Sequence, residues 1–201
     1  GNLKYDTSYK EPRKVSLIKQ GKTVIFASIH LQEMPILVPE IKELLSQKIE
    51  VLLMPRHVEK AEEISAILEQ SGVQSCFRTK GEDWAKGKVY IIDTMGESVD
   101  FYEFSDVIFI GGGLVDGIGG HNIIEGCIAQ KPVLTGFFHF NCKEVVEEFA
   151  QNKAVIVSNA PAKEIIHLVQ NPKEGEMMVE SALKVLAKYQ DIAQQILQRI
   201  L

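Results

Sequence analysis

Three observations predict a doubly wound α/β domain built on one parallel sheet. Short runs rich in Val, Ile and Phe alternate with longer amphipathic runs along the chain. The short runs are apolar at nearly every position, which is typical of strands covered on both faces. Strands separated by helices pair in parallel through crossover connections. We therefore predict a Rossmann-like architecture in which ligands bind at the carboxyl ends of the strands.

The strands follow from the apolar runs. Thr23–Ser28 (TVIFAS) and Glu50–Met54 (EVLLM) are the clearest, since almost every position in them is apolar. Val73–Arg78 is predicted as a weaker third strand. The later strands are predicted at Val89–Ile92, Val107–Ile110, Val133–Thr135 and Ala154–Val157.

The helices follow from apolar residues at helical spacing between the strands. In Ile36–Gln47, the side chains of Ile41 and Leu44 lie on one side. Val58–Gln70 repeats the pattern and stops before Gly72, a residue type that commonly ends helices. The remaining helices are predicted at Glu97–Phe104, Asn122–Gln130, Cys142–Gln151, Pro161–Val169 and Gly175–Leu201.

Composition excludes several classes of protein. The 201 residues include 22 Lys+Arg and 27 Asp+Glu, and the net charge of −5 argues against a broadly basic nucleic-acid binder while permitting a local basic pocket. A hydrophobic content of 45% argues against disorder. No apolar run reaches the roughly 18–20 residues that span a bilayer. The three cysteines form no CxxC pair, which favours a reducing compartment.

The chain begins at Gly1, without Met or a signal-like segment, and is interpreted as a piece of a longer protein. Residues 1–20 show no clear period and are predicted to be a leader or interdomain linker. Residues 21–201 are predicted to form a single domain.

Polar side chains follow the first two predicted strands. Ser28, His30 and Glu33 place a hydroxyl, an imidazole and a carboxylate after the first strand, where they would face a ligand. The alternative is a helix cap at Ser28 with a solvated His30. Pro55 ends the second strand because it has no N–H to donate. Arg56 follows where the next helix begins, and a guanidinium there can bind a phosphate with two donors. The alternative is an ordinary surface arginine.

The segment after the fourth strand, Asp93–Ser98, carries a glycine just before a helix. Gly96 allows the backbone to come close to a ligand, and an exposed N–H there can bind a base or a phosphate. The competing interpretation is a plain helix start capped by Asp93 or Thr94.

The most unusual segment follows the fifth strand, where six of the fifteen glycines lie between Gly111 and Gly120. Glycine costs folding entropy, so the cluster needs a reason, and close approach of backbone to a ligand is one. The segment lacks the Gly-Lys-Ser/Thr of a Walker A loop and the third glycine of the dinucleotide fingerprint.

Asn122 and Glu125 follow the glycines, one helical turn apart, which puts a carboxylate where it suits a ribose diol. His121 and Glu125 also have the spacing of metal ligands, but no third ligand follows at a useful distance, so no metal is predicted. A flexible loop capped by Asn122 is the alternative. The aromatic residues of 137–140, after the sixth strand, either cover a ligand or pack. Together these strand ends predict a nucleotide site.

Five segments, in this order, resemble those of 3-deoxy-D-manno-octulosonic acid (Kdo) transferases, the lipid A glycosyltransferases of Gram-negative bacteria. The resemblance covers nearly all of 1–157, and the ordered set is specific where no single motif would be. The segments are Gly1–Asp6, Met54–His57, Asp93–Glu97, Gly119–Glu125 and Pro132–Gly136.

The resemblance implies that the chain is the C-terminal half of a two-domain GT-B glycosyltransferase. The N-terminal half would carry the membrane anchor, the site for the lipid A precursor and the catalytic carboxylate, so no catalytic residue is expected here. The parent enzyme would act at the cytoplasmic face of the inner membrane, while this piece would be soluble and bind no nucleic acid. Its ligand would be the donor CMP-Kdo, with no cofactor and no metal, since positive charge and helix N-termini would stabilise the leaving group.

The resemblance also assigns the contacts to CMP. Arg56 would lie near the phosphate, 95–97 would line the nucleotide through their backbone, and Glu125 would bind the ribose hydroxyls. The full expected set is Pro55, Arg56, Met95, Gly96, Glu97, Asn122, Ile123, Ile124 and Glu125, with further donor contacts at Ser28, His30, Gly112, Gly113 and His121.

One loop departs from the family pattern. The family has Ser-Thr-His-x-Gly-Glu-Glu after its first strand, and this chain has Ser28–Met34 (SIHLQEM), without the Thr, the Gly and the second Glu. Two alternatives therefore remain open. One is another sugar-nucleotide enzyme of the same fold, such as a UDP-sugar transferase or epimerase. The other is a non-catalytic nucleotide-binding module, which the altered loop favours.

Overall fold

A seven-stranded parallel sheet organises the chain. The structure is a computed structural model that describes residues 15, 17–81 and 84–200, with side chains described as far as 189. All strand pairings in these residues are parallel. The strands are β1 (Thr23–Ile29), β2 (Glu50–Pro55), β3 (Ser75–Phe77), β4 (Val89–Ile91), β5 (Val107–Ile110), β6 (Val133–Thr135) and β7 (Val155–Val157).

Helices cover both faces of the sheet, which is why the central strands are apolar throughout. One face carries α1 (Met34–Ser46), α2 (Ala61–Gln70) and α6 (Pro161–Gln170). The other face carries α3 (Ser98–Phe104), α4 (Ile124–Ile128), α5 (Lys143–Gln151) and part of α7 (Pro172–Ile200), whose first turns pack beside α6.

The strand order is β3-β4-β2-β1-β5-β6-β7. After β1 the chain moves through α1 to β2, on one side of β1. After β4 it moves through α3, on the opposite face, to β5, on the other side of β1. The topology therefore reverses between β1 and β5, and the crevice at their carboxyl ends is the place where doubly wound sheets bind ligands.

The predicted fold class and its seven strands and seven helices are confirmed; the ends of several elements differ from the prediction. The helix predicted at Asn122–Gln130 is only Ile124–Ile128. Its N-cap is Ile123, and the side-chain oxygen of Asn122 accepts the N–H of Ile124 at 3.0 Å in a turn just before the helix. At its other end, Gln130 has left-handed backbone (φ 55°), which a helix cannot continue through.

The first helix begins at Met34, two residues earlier than predicted, after a 3-10 turn at Leu31–Glu33. The linker predicted at 1–20 lies mostly outside the described residues. Within the described part of the chain, no helix has the length and apolar character needed to cross a membrane.

Candidate functional site

The end of β1 is distorted at the switch point. Ala27 pairs with Met54, but the next pair is Ile29 with Pro55, so Ser28 is an extra residue in β1. Ser28 has left-handed backbone (φ 57°), which is strained for a residue with a Cβ. It is therefore part of a bulge in the strand and does not cap the next helix. Bulges of this kind redirect side chains beside functional sites.

A buried carboxylate, Glu33, occupies the crevice between β1 and β5. Its side chain is fully buried and accepts the backbone N–H of His30 at 2.9 Å, of Gly112 at 2.9 Å and of Leu114 at 3.1 Å. The carboxylate thus joins the loop after β1 to the glycine loop after β5. The N–H of Gly112 already donates to Glu33. The expected contact of Gly112 with a ligand therefore does not use this N–H.

Sequence reasoning noted Glu33 in the loop after β1 but gave it no role. It is also the Glu of the family pattern that this chain keeps. The sequence did contain a signal for this contact. A carboxylate follows one of the two strands at the switch point, and a glycine loop with exposed N–H groups follows the other. Such N–H groups attract an anion.

The glycine cluster is explained largely by packing within the protein. A Cβ on Gly111 would lie 2.7 Å from the carbonyl oxygen of Ser28, and one on Gly113 would lie 2.9 Å from the Cα of Gly136. A Cβ on Gly119 would lie 2.5 Å from the side chain of Asn141. The glycines allow the loops after β1, β5 and β6 to pack against each other, where the sequence suggested close approach to a ligand.

Two predicted residues from different loops, His30 and His121, form a pair whose rings lie edge to edge in nearly one plane. Their rings are nearly parallel, at 3°, with centroids 5.0 Å apart, and their Nε2 atoms are 2.7 Å apart. The ring of His57 meets His30 edge-on at 5.7 Å. The pair therefore joins the carboxyl ends of β1 and β5, with His57 of the β2 end beside it.

Arg56 lies beside this pair and is exposed. Its backbone N–H donates to the carbonyl of Ile29 at 2.8 Å, which fixes the loop after β2 to the end of β1. The pKa of His121 is lowered to about 4, chiefly by burial and then by the nearby charges of His30 and Arg56. The pKa of His30 is also lowered, chiefly by burial, although Glu33 opposes the shift. The structure thus brings Arg56, His30 and His121 together at a locally positive edge.

The loop after β4 is held in place by hydrogen bonds from the loop after β3. Glu97 accepts two hydrogen bonds from the guanidinium of Arg78, at 2.6 and 2.8 Å, and a third from the hydroxyl of Thr94. This pairing raises the pKa of Arg78 beyond its ordinary value. Because its carboxylate is engaged, Glu97 can meet a ligand only with its backbone or by giving up the pair.

Met95 and Gly96 form the exposed tip of this loop. The side chain of Met95 is 84% exposed, and Gly96 has φ 75° with open space where a Cβ would point. An open cavity of about 590 Å³ is lined by Arg78, Thr94, Met95 and Glu97. The loop therefore presents exposed backbone next to a cavity, as the resemblance implies for a nucleotide.

The segment 122–125 presents fewer side chains than its sequence suggests. The side chains of Ile123 and Ile124 are fully buried in the core, so only their backbone can contact a ligand. Asn122 is exposed, and its side-chain oxygen accepts the N–H of Ile124 where α4 begins. Glu125 is half-buried and, together with burial, raises the pKa of Tyr102 on α3. Glu125 therefore faces α3, the helix that begins after the 93–97 loop.

The aromatic loop after β6 is exposed. Phe137 and Phe140 each keep 57% of their surface in solvent, and Phe138 keeps 37%. The loop is held in place because the N–H of Phe138 donates to Gly113 at 2.9 Å and the N–H of Phe137 donates to Asn159 at 3.0 Å. These rings therefore line the edge of the site and take little part in the core.

A second cavity, of about 630 Å³, lies at the opposite edge of the sheet. Its walls include Lys22, Asp106 and Pro132, which precede β1, β5 and β6, and the first turns of α7. Ligands of doubly wound sheets bind at the carboxyl ends, so we place the candidate site at the other edge. Among the residues that the structure describes, no three His, Cys, Asp or Glu side chains are grouped to hold a metal ion.

The architecture defines a class, the Rossmann-like α/β domains of GT-B glycosyltransferases. A MurG structure from Acinetobacter baumannii matches 89% of the chain with a TM-score of 0.55 at 10% identity, and a glycosyltransferase from Rickettsia africae matches 90% with a TM-score of 0.56 at 14% identity. Likeness at such low identity shows the fold. No protein-family model matches the chain.

The chain is related to the 3-deoxy-D-manno-octulosonic acid transferases. The curated transferase of Haemophilus influenzae is 31% identical over 98% of the chain, and that of Rickettsia bellii is 28% identical over all of it. The C-terminal CMP-Kdo binding domain of WaaA from Acinetobacter baumannii is 28% identical and matches 84% of this chain and 90% of that domain, with a TM-score of 0.79. The resemblance to the C-terminal domain of these enzymes is therefore confirmed.

The chain covers 49% of the Haemophilus influenzae transferase and 51% of the Rickettsia bellii enzyme. It thus spans about half the length of the curated relatives that it matches, and its fold matches the C-terminal half.

Proposed function

We propose that the chain binds CMP-Kdo as the donor domain of an enzyme that transfers Kdo to a lipid A precursor in lipopolysaccharide biosynthesis. The observation that carries the proposal is the match to the WaaA CMP-Kdo binding domain, with a TM-score of 0.79 over 84% of the chain. The acceptor site and the catalytic carboxylate belong, in this proposal, to an N-terminal domain. The enzyme works at the cytoplasmic face of the inner membrane, and the 201-residue chain alone binds nucleotide without transferring sugar.

The phosphate of the donor lies, in this proposal, beside Arg56. Arg56 is exposed next to His30 and His121, at the switch point where such folds bind phosphates. A guanidinium can donate two parallel hydrogen bonds to phosphate oxygens. Positive charge at this place stabilises the leaving CMP without a metal ion, since it faces the charge that develops on the phosphate.

The nucleoside lies between the 93–97 loop and α4. The backbone of Met95 and Gly96 is accessible beside a cavity, and Glu125 faces the helix that follows that loop. A carboxylate accepts hydrogen bonds from two neighbouring hydroxyls, which suits the ribose diol. Pro55, Ile123 and Ile124 are buried and therefore support this surface through their backbone.

Replacing Arg56 or Glu125 by Ala tests the assignment. We expect each change to weaken the binding of CMP by about 1–3 kcal/mol, roughly tenfold to a hundredfold. Arg56→Ala removes a hydrogen bond to the charged phosphate, and Glu125→Ala removes a hydrogen bond from the ribose. Isothermal titration calorimetry with CMP measures the effect.

The matched controls are Lys42→Ala and Glu69→Ala, two exposed residues in the second halves of α1 and α2, away from the carboxyl edge. They should bind CMP like the unmodified chain. If Arg56→Ala and Glu125→Ala also bind CMP with unchanged affinity, the residue assignment is wrong.

A further inference from the structure

The edge-to-edge pair of His30 and His121 holds a single proton at its contact. Their Nε2 atoms are 2.7 Å apart, a hydrogen-bond distance. A hydrogen bond between two imidazole nitrogens needs one N–H donor and one bare acceptor. A proton added to the accepting Nε2 would set two N–H groups against each other and break the bond. The accepting ring is therefore neutral while the bond lasts, and both facing nitrogens are directed at one point.

The surroundings of the pair oppose a second proton. Arg56 and His57, both after β2, add positive charge next to the two rings. His57 is itself only 3.6 Å from the exposed carboxylate of Glu59. Glu33 is the one acidic group beside His30 that favours its protonation, and three backbone N–H groups already bind it. On the side of the β6–α5 loop, the thiol of Cys142 donates to the carbonyl of His121.

An anion at this place reverses the balance. A nearby negative charge favours the charged form of an imidazole. Two protonated Nε2 atoms that face the same point can both donate to oxygens of a bound anion. The neutral pair can do this only if the accepting ring moves its proton from Nδ1 to Nε2, and it then adds no positive charge to offset the anion. The uptake of one proton would also cancel the single negative charge of a phosphodiester.

We propose that His30 and His121 form a proton-coupled clamp for the phosphodiester of the donor. Binding takes one proton from solvent, breaks the Nε2–Nε2 hydrogen bond and leaves an N–H on each ring to donate to a phosphate oxygen. This inference rests on the proposed function, because it takes the donor phosphate to lie beside Arg56.

Calorimetric titration with cytidine 5′-(methyl phosphate) tests the clamp. This probe is a phosphodiester, so it has no phosphate ionisation of its own near neutral pH. Titrations in two buffers of different ionisation enthalpy measure the number of protons taken up. At about pH 5.5 we expect close to one proton per bound ligand, and an affinity that falls by up to about tenfold for each pH unit above that, until the complex itself deprotonates.

His30→Gln and His121→Gln should each bind more weakly and lose the proton uptake. His167→Gln is the matched control, because His167 is exposed on α6 and bonds Glu174 far from the clamp. Binding by the unmodified chain without proton uptake, or uptake that persists in both clamp variants, would overturn the inference while leaving the proposed function intact. Failure of the probe to bind at any pH would overturn both.

Nuclear magnetic resonance of the unmodified chain gives a second readout that needs no variant. With ¹⁵N-labelled histidine, the pKa of His121 should rise on addition of the probe. An unchanged pKa in the complex contradicts the clamp.

Discussion

Glu33 binds the N–H groups of the glycine loop after β5 that a ligand could otherwise have bound. Free N–H groups at a switch point ordinarily attract the phosphate of a ligand. Here the carboxylate of Glu33 accepts those of Gly112 and Leu114, so the loop is held by the protein's own anion. The proposed function therefore assigns the donor phosphate to side chains, namely Arg56 with His30 and His121.

Glu33→Gln should destabilise the chain by about 2–3 kcal/mol, because it removes charge-assisted hydrogen bonds and turns an N–H₂ toward backbone donors. For a chain of this size that lowers Tm by roughly 5–10 °C. Urea and thermal unfolding measure the change. Glu43→Gln, at an exposed position on α1, is the control and should unfold like the unmodified chain. Equal stability of the two variants would show that Glu33 does not hold the loops together.

Among the elements, the loop after β4 depends on its neighbour after β3. The Arg78–Glu97 pair is largely shielded from solvent, with the side chains 28% and 14% exposed, and Arg78 also lies over the ring of Phe101 at 5.2 Å. Next to it, Asp93 accepts the backbone N–H of Thr79 at 3.0 Å. These contacts fix the exposed backbone of 95–96 that the proposed function assigns to the nucleotide.

Arg78→Met keeps the aliphatic stem and removes the charge. We expect the affinity for CMP to fall by about threefold to tenfold, near 1 kcal/mol, because the 93–97 loop loses its brace. Lys80→Met is the matched control. Lys80 follows on the same segment, and its ion pair with Glu62 is exposed, so it should contribute little. An affinity for CMP that is the same in both variants would show that the brace does not shape the site. Calorimetry with CMP measures both.

Elements and their order were predictable because each rests on local patterns. Val107–Ile110 is apolar throughout and Thr23–Ile29 is apolar at most positions, and α2 shows helical spacing up to Gly72. The bulge at Ser28 was not predictable, because it depends on pairing with β2 and β5, which lie far away in the sequence. The packing role of the glycines was not predictable either, because it also depends on residues far away in the sequence. The atoms that crowd Gly113, for example, belong to Gly136.

At the scale of the whole molecule, the net charge of −5 conceals a local site where the cationic Arg56 lies among histidines. Arg56, His30, His57 and His121 come from the ends of three adjacent strands, and only the strand order β2-β1-β5 brings them together. The sequence predicted which strand ends carry polar residues. It did not predict the pairing of His30 with His121, which is a contact between residues 91 positions apart.

The recognition of cytidine is the central claim, and one measurement tests it most directly. The 201-residue chain is titrated by calorimetry with CMP, UMP and ADP under identical conditions. We predict that CMP binds tightest, by about tenfold or more over UMP, because the base edge that distinguishes them changes hydrogen bonds worth about 1–3 kcal/mol. Equal affinity for the three nucleotides would contradict the account, and a preference for UMP would indicate a uridine-nucleotide enzyme of the same fold.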